Sequence, residues 1–228
     1  MSNTLRRIQK RKEQADGLPK ILIGVPSNRD LPKETVACLF HLAEQVGYQN
    51  IVFMQNAMIN QCRDAIVKTA FQRDYDYIFW VDDDMIIPPD AITKLLAHDK
   101  DICSGLYFGR GNYKPLLYDV RYDQSDDTYE IQQITEYKDN DLIKVGGVGF
   151  GCCLTKVSAL KRIWAGMDGV PAGTCFDFIG GVGEDLSFAF RCLAYGIETW
   201  VDTSIKCGHI GKFTVTEEAW KAVKDLQK

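Results

Sequence analysis

The strongest constraint in the sequence is an alternation repeated over residues 20–109. Four short apolar runs, KILIGVPS (20–27), YQNIVFM (48–54), YDYIFWV (75–81) and DICSGLYFG (101–109), are separated by segments of helical spacing. The runs are short and apolar, and the first is closed by Pro26 and Ser27; they read as buried strands. Between them, Lys33–Gly47 sets Val36, Leu39, Phe40 and Ala43 on one helical face and stops at Gly47. Ile59–Phe71 does the same with Cys62, Ile66, Val67 and Ala70, and Pro88, Pro89 and Asp90 open a third helix. Successive β-α-β units predict an α/β fold: a mainly parallel central sheet flanked by helices.

The pattern then changes. KPLLYDVRYD and TYEIQQITEY alternate apolar and polar residues around the turn QSDD, which predicts a β-hairpin insertion. The glycine-dense IKVGGVGFGCCLTK follows and reads as strand with close backbone packing beside a pocket. A helix (KVSALKRIW), a Gly-rich loop, a helix over Glu184–Ala194 and the strand ETWVD come next. Thr214-x-x-Glu217 reads as a capping box opening an amphipathic helix. The expected organisation is a basic polar leader at 1–19, a folded domain at 20–212 and a C-terminal helix at 213–228. A chain of 228 residues fits one domain.

Charge and cysteine content narrow the function classes. With 27 basic and 31 acidic residues the formal charge is −4, which excludes a uniformly basic nucleic-acid binder. No apolar run reaches the ~18–20 residues of a membrane span, and the leader lacks a secretory signal's apolar stretch. The expected setting is cytoplasmic. No two of the eight cysteines stand at C-x-x-C spacing, so they are expected to be buried, reduced thiols.

Three segments carry chemistry. In IFWVDDDM a buried strand ends in Asp82, Asp83 and Asp84, at the sheet end where α/β folds bind ligands. Alternation along an extended chain puts Asp82 and Asp84 on one face. Packed carboxylates repel, and a divalent cation relieves the repulsion. In GGVGEDLSFAFRCLAYG, Glu184 and Asp185 sit in a helix's first turn, where the dipole favours carboxylates. At a loop–helix junction facing a crevice, such a carboxylate suits a general base. In CGHIGK, His209 lies between glycines after a strand, unlike His41 and His98, which lie on helices. Arg63, in NQCRDAI, falls near the same edge of the sheet. There it either grips a phosphate bidentately or pairs with neighbours on the surface.

Taken in order, these segments resemble a GT-A fold glycosyltransferase and are similar to glycosyltransferase family 2 over residues 20–212. The carriers are the opening strand KILIGVPS, Cys62-Arg63-Asp64 in place of A-R-N, the D-x-D element Asp82-Asp83-Asp84, Gly183-Glu184-Asp185 and the late His209. The resemblance implies a nucleotide-sugar donor, a UDP-sugar, from which a hexosyl or pentosyl group moves. Mn2+ or Mg2+ would be held by Asp84 and His209 with help from Asp82. Donor contacts would come from Pro26, Ser27, Arg29, Arg63, Asp82, Asp83 and Lys212, with Lys206 also near the phosphates. Asp185 would take the acceptor hydroxyl's proton, Glu184 would orient the acceptor, and the course would be inverting. Acceptors of similar small enzymes are surface glycans or hydroxylated DNA bases. Asp64 stands where the family has Asn.

Two other readings are weaker. A sugar-nucleotide nucleotidyltransferase carries a glycine-rich, arginine-bearing loop after its first strand, whereas GVPSNRDLPKE offers Arg29 but only Gly24. A non-catalytic nucleotide-sugar-binding protein would not need the acids and His209 together.

Overall fold

The four apolar runs are strands of one sheet in the computed structural model, which describes residues 19–167, 169–211 and 214–226. They are β1 (Ile21–Pro26), β2 (Ile51–Met54), β3 (Tyr77–Val81) and, after the short β4 (Met85–Ile86), β5 (Ile102–Leu106). Helices α1 (Lys33–Val46), α2 (Ile59–Gln72) and α3 (Ala91–Ala97) connect them. The hairpin is β6 (Leu117–Asp123) and β7 (Thr128–Gln133), paired with Asp123 opposite Thr128. The glycine-dense run breaks into β8 (Leu142–Val145), β9 (Gly147–Val148) and β10 (Cys152–Lys156). Then follow α4 (Val157–Ala165), α5 (Glu184–Ala194), β11 (Thr199–Lys206), β12 (Gly208–Ile210), β13 (Thr214–Val215) and α6 (Glu217–Leu226).

The large sheet has the order β2-β1-β3-β10-β5-β11-β8. β1 runs parallel to β2 and β3, and β5 runs parallel to β11. β10 enters antiparallel between β3 and β5, and β8 lies antiparallel at the edge. Five of the seven described strands thus run the same way, and the sheet is mainly parallel. Both faces are covered, which is why the strands are apolar without alternation. Leu22 faces a cluster with Ile66, Ile78, Trp80 and Phe176, whereas Ile23 and Val25 face Leu39, Leu42 and Phe79. Each such side chain is worth roughly 1.5–3 kcal/mol of transfer free energy.

The glycines of 146–151 mark close approach. A Cβ at Gly146 would collide with the Val120 backbone, and one at Gly149 with the Tyr107 hydroxyl. All eight cysteines are free thiols, seven buried and Cys38 half-buried.

Two expectations need correction. Phe40 is 56% exposed and meets Tyr48 edge-on, because α1 buries Thr35, Leu39, Leu42 and Ala43 instead. Thr214 is not the cap of the last helix but lies in β13. The Thr216 hydroxyl accepts from the Ala219 N–H, which moves the cap two residues on. That helix packs on the body through Trp220, stacked on Phe108 and Tyr137. The leader over residues 1–18 lies outside the described residues. Among the described residues, no helix is long and apolar enough to cross a membrane.

Candidate active site

β1 and β3 are parallel neighbours, so their carboxyl ends open side by side. β3 stops at Val81, and Asp82–Asp84 form a turn rather than an extended segment. The alternation expected for Asp82 and Asp84 therefore does not apply. Each carboxylate has different partners. Asp82 Oδ1 lies 2.9 Å from Arg63 Nη2. Asp83 accepts from the Ser27 hydroxyl (2.9 Å) and from Arg29 Nε (2.8 Å) and Nη2 (2.6 Å), tying β1 to β3. Asp84 faces His209 Nε2 (3.3 Å) and Arg110 Nη1 (2.6 Å) and also pairs with Arg29.

A small sheet brings His209 to Asp84. β12 lies between β13 and β4, with His209 opposite Met85, and the Ile210 N–H donates to the Asp84 carbonyl at 2.7 Å. His209 Nδ1 lies 2.8 Å from the Phe108 carbonyl, which can only accept, so Nδ1 carries a proton. The Tyr107 ring stands edge-on to the imidazole at 5.6 Å. Burial raises the Asp84 carboxyl. The hydrogen bond and charge of His209, with the charges of Arg110 and Arg29, outweigh that and hold it below its usual range.

Arg63 holds the opposite wall. Its side chain is 1% exposed, ringed by Trp80, Phe150 and Phe176 with centroids 5.4–5.7 Å from the guanidinium carbon. Besides Asp82 it meets Glu184 Oε1 through Nε (3.4 Å) and Asp185 Oδ1 through Nη2 (3.5 Å). Burial disfavours its charge, but Asp82, Asp185 and Glu184 outweigh burial and keep it ionised. The reading of Arg63 as a surface pair is corrected here, since the side chain is buried; where a phosphate contact was the other expectation, its contacts in this structure go to three carboxylates. Burial also raises Asp82, helped by Asp84 and Glu184 and opposed by Arg63.

Glu184 and Asp185 open α5, whose N-cap is Gly183. Burial pushes the Asp185 carboxyl up to about 8; the charges of Glu184 and Asp82 add to it and Arg63 opposes it. The side chain keeps 29% exposure, and Oδ1 has no hydrogen-bond partner among the described residues. The start of the loop before α5 is fixed by α2 and by α5 itself. Asp64 accepts from the Thr174 hydroxyl (2.5 Å) and from the N–H groups of Cys175 (2.8 Å) and Phe176 (3.2 Å). Arg191 donates to the Asp177 carbonyl at 2.7 Å. Asp64 is therefore a loop anchor, which explains an acid at that position.

These groups line a cleft of about 470 Å³, with Pro26, Ser27 and Arg29 at one side and Asp185 at the other. Larger hollows of about 780 and 700 Å³ lie elsewhere, and neither is lined by a histidine or arginine. Among the described residues no three acidic, histidine or cysteine side chains converge as a metal cage. Asp82, expected to help hold the metal, pairs here with Arg63 on the opposite wall. Asp84 and His209 do fit a divalent cation: a carboxylate meets an imidazole nitrogen whose ring is oriented by a carbonyl behind it, and the two guanidinium groups on Asp84 would have to give way to the ion. A metal with so few protein ligands takes the rest from water and phosphate oxygens. Lys206 pairs with Asp139 (2.9 Å) and Glu217 (2.8 Å) instead of facing the cleft. Lys212 lies outside the described residues. His98 pairs with Asp202 at 2.8 Å, and His41 is exposed.

Sequence reasoning missed Arg110 and Tyr107. Both follow β5, whose carboxyl end opens on the same cleft, so the logic that singled out the aspartates applies to GLYFGRG equally. The Tyr107 hydroxyl accepts from the Gly151 N–H at 2.9 Å and so braces the turn before β10.

The family model for "Glycosyl transferase family 2" matches residues 32–164, more than half of the chain, ending before Glu184 and His209. No curated protein matches the chain in sequence. Among solved structures, A197 from STIV is similar at 16% identity over 84% of this chain and 86% of that one, with a TM-score of 0.60. GalNAc-T7, solved with UDP, GalNAc and Mn2+, is similar at 11% identity over 90% of this chain but 45% of that one, with a TM-score of 0.55. At such identities the structural likeness carries the fold. The family match carries the membership: this chain belongs to glycosyl transferase family 2.

Proposed function

We propose that the chain transfers a sugar from a nucleotide-sugar donor, a UDP-sugar, to an acceptor hydroxyl, with inversion and with a divalent cation. The observation that carries this is the meeting of Asp84 and His209, 125 positions apart in sequence, at 3.3 Å in a cleft that Asp185 also lines. Asp84 and His209 would hold Mn2+ or Mg2+, which when bound stabilises the charge of the departing nucleoside diphosphate. Pro26 and Ser27 form the donor side of the cleft, and Asp83 locks Arg29 there. Asp185 takes the acceptor hydroxyl's proton. Its carboxyl is pushed up to about 8, so the ionised, proton-accepting form gains as pH rises toward that value. Arg63 restrains Asp185 and Glu184 together, so the base and the acceptor-side acid keep a fixed relation to Asp82. The family membership supports sugar transfer; donor, metal and stereochemical course are our inference from these residues.

A thermal-shift panel of nucleotide sugars with Mn2+ tests the reading. The correct donor raises the apparent melting temperature, as any ligand of the native state does. Asp84→Asn keeps its own melting cooperative but loses the metal-dependent shift and donor turnover. Sugar transfer near the wild-type rate in Asp84→Asn would refute the metal assignment.

A further inference from the structure

Arg110 stands out as the most loosely held arginine of the cleft after Arg63 and Arg29 are accounted for. It sits on a turn after β5, its side chain is 42% exposed, and its guanidinium meets Asp84 Oδ2 at 2.6 Å and the Ile210 carbonyl at 3.5 Å. Arg29, the other guanidinium on Asp84, is fastened differently, by two bonds to Asp83. Arg63 is buried among three carboxylates. Of the three cleft arginines, Arg110 alone depends on Asp84 for its short ionic contact.

The charge arithmetic gives it a task. Five carboxylates line the cleft, Asp82, Asp83, Asp84, Glu184 and Asp185, against three guanidinium groups. A diphosphate entering such an acidic cleft needs cationic partners that the acids do not already hold. A divalent cation on Asp84 and His209 would compete with Arg110 for Asp84, freeing a bidentate-capable donor at the mouth of the cleft.

We propose that Arg110 is a diphosphate-binding residue that exchanges partners. Without metal it neutralises Asp84, and with metal bound it moves to the nucleoside diphosphate of donor and product. This rests on the proposed nucleotide-sugar reading and extends it to a residue that the sequence analysis did not single out.

The exchange predicts opposite effects of one substitution. Mn2+ and UDP binding are measured by calorimetry on the full chain, with Arg110→Ala and Arg110→Lys beside wild type and melting curves for each. In Arg110→Ala, Mn2+ binding without nucleotide tightens by up to about 5-fold, the worth of a half-exposed ion pair. UDP binding with saturating Mn2+ weakens by about 10-fold to 100-fold, the loss of a charge-assisted hydrogen bond. Arg110→Lys, which keeps the charge but not the fork, recovers part of the UDP affinity. Unchanged UDP affinity in Arg110→Ala, or weakening of Mn2+ and UDP binding together with a lower melting temperature, overturns the proposal. Failure of the wild-type chain to bind either Mn2+ or UDP would instead overturn the nucleotide-sugar reading itself, so the two failures are distinct.

Discussion

At the scale of single residues, the cleft trades stability for chemistry at Asp185. Its carboxyl is raised in the folded state by burial and by Glu184 and Asp82. The protonated form is therefore the one that folding favours. The stability it contributes is complete below pH ~4, the ordinary aspartate value, and is lost as pH rises through about 8. Asp185→Asn has no proton to lose. Its melting temperature is expected to exceed that of wild type by a margin that widens from pH 5 to pH 8.5, measured by circular dichroism. Turnover is expected to fall by about 10²–10⁴-fold with donor binding retained. A margin that stays constant with pH would mean that Asp185 ionises normally and is no tuned base. Lost donor affinity with unchanged turnover would remove it from the acceptor side.

At the scale of elements, the site depends on loops that short contacts hold in place. The stretch 174–177 leads into α5, and Asp64 on α2 accepts three of its hydrogen bonds. Asp64→Ala leaves the Thr174 hydroxyl and two backbone N–H groups without their partner. The expected cost is roughly 2–3 kcal/mol, because unsatisfied donors lose their full desolvation penalty. Urea unfolding measures it, and limited proteolysis should cut near residues 174–183 sooner than in wild type. Unaltered cleavage there would mean that the loop is fixed by packing alone. The same elements show what the sequence made legible. Glu184–Ala194 reads as a helix and is one, because its capping glycine, first-turn acids and apolar face are all local signals. The role of Asp64 is not legible, since its partners lie 110–112 residues away.

At the scale of the whole molecule, the last helix is coupled to the site. Trp220 is 7% exposed, with ring centroids 5.3 Å from Phe108 and 5.7 Å from Tyr137. The Phe108 carbonyl is the group that orients His209. Trp220→Ala is expected to cost about 3–5 kcal/mol, typical of a large aromatic removed from a packed site. Because the stack backs His209, Mn2+ affinity should fall as well, which a calorimetric titration of the folded variant reads. A full stability loss with unchanged Mn2+ affinity would show that the helix supports the body without reaching the cleft.

The sequence alone determined that a mainly parallel sheet forms and that Asp82–Asp84 end one of its buried strands. Both follow from signals a few residues long: apolar runs of strand length, helical spacing between them, and acids closing a run. Tertiary structure decided the rest. β10 enters between β3 and β5 although it comes later in the chain, because an apolar strand buried on both sides reads the same in either direction. Arg63 turned inward to three carboxylates, Asp64 became an anchor, and Arg110 reached Asp84. Each of these depends on partners distant in sequence, where charge and geometry decide and local pattern carries no information.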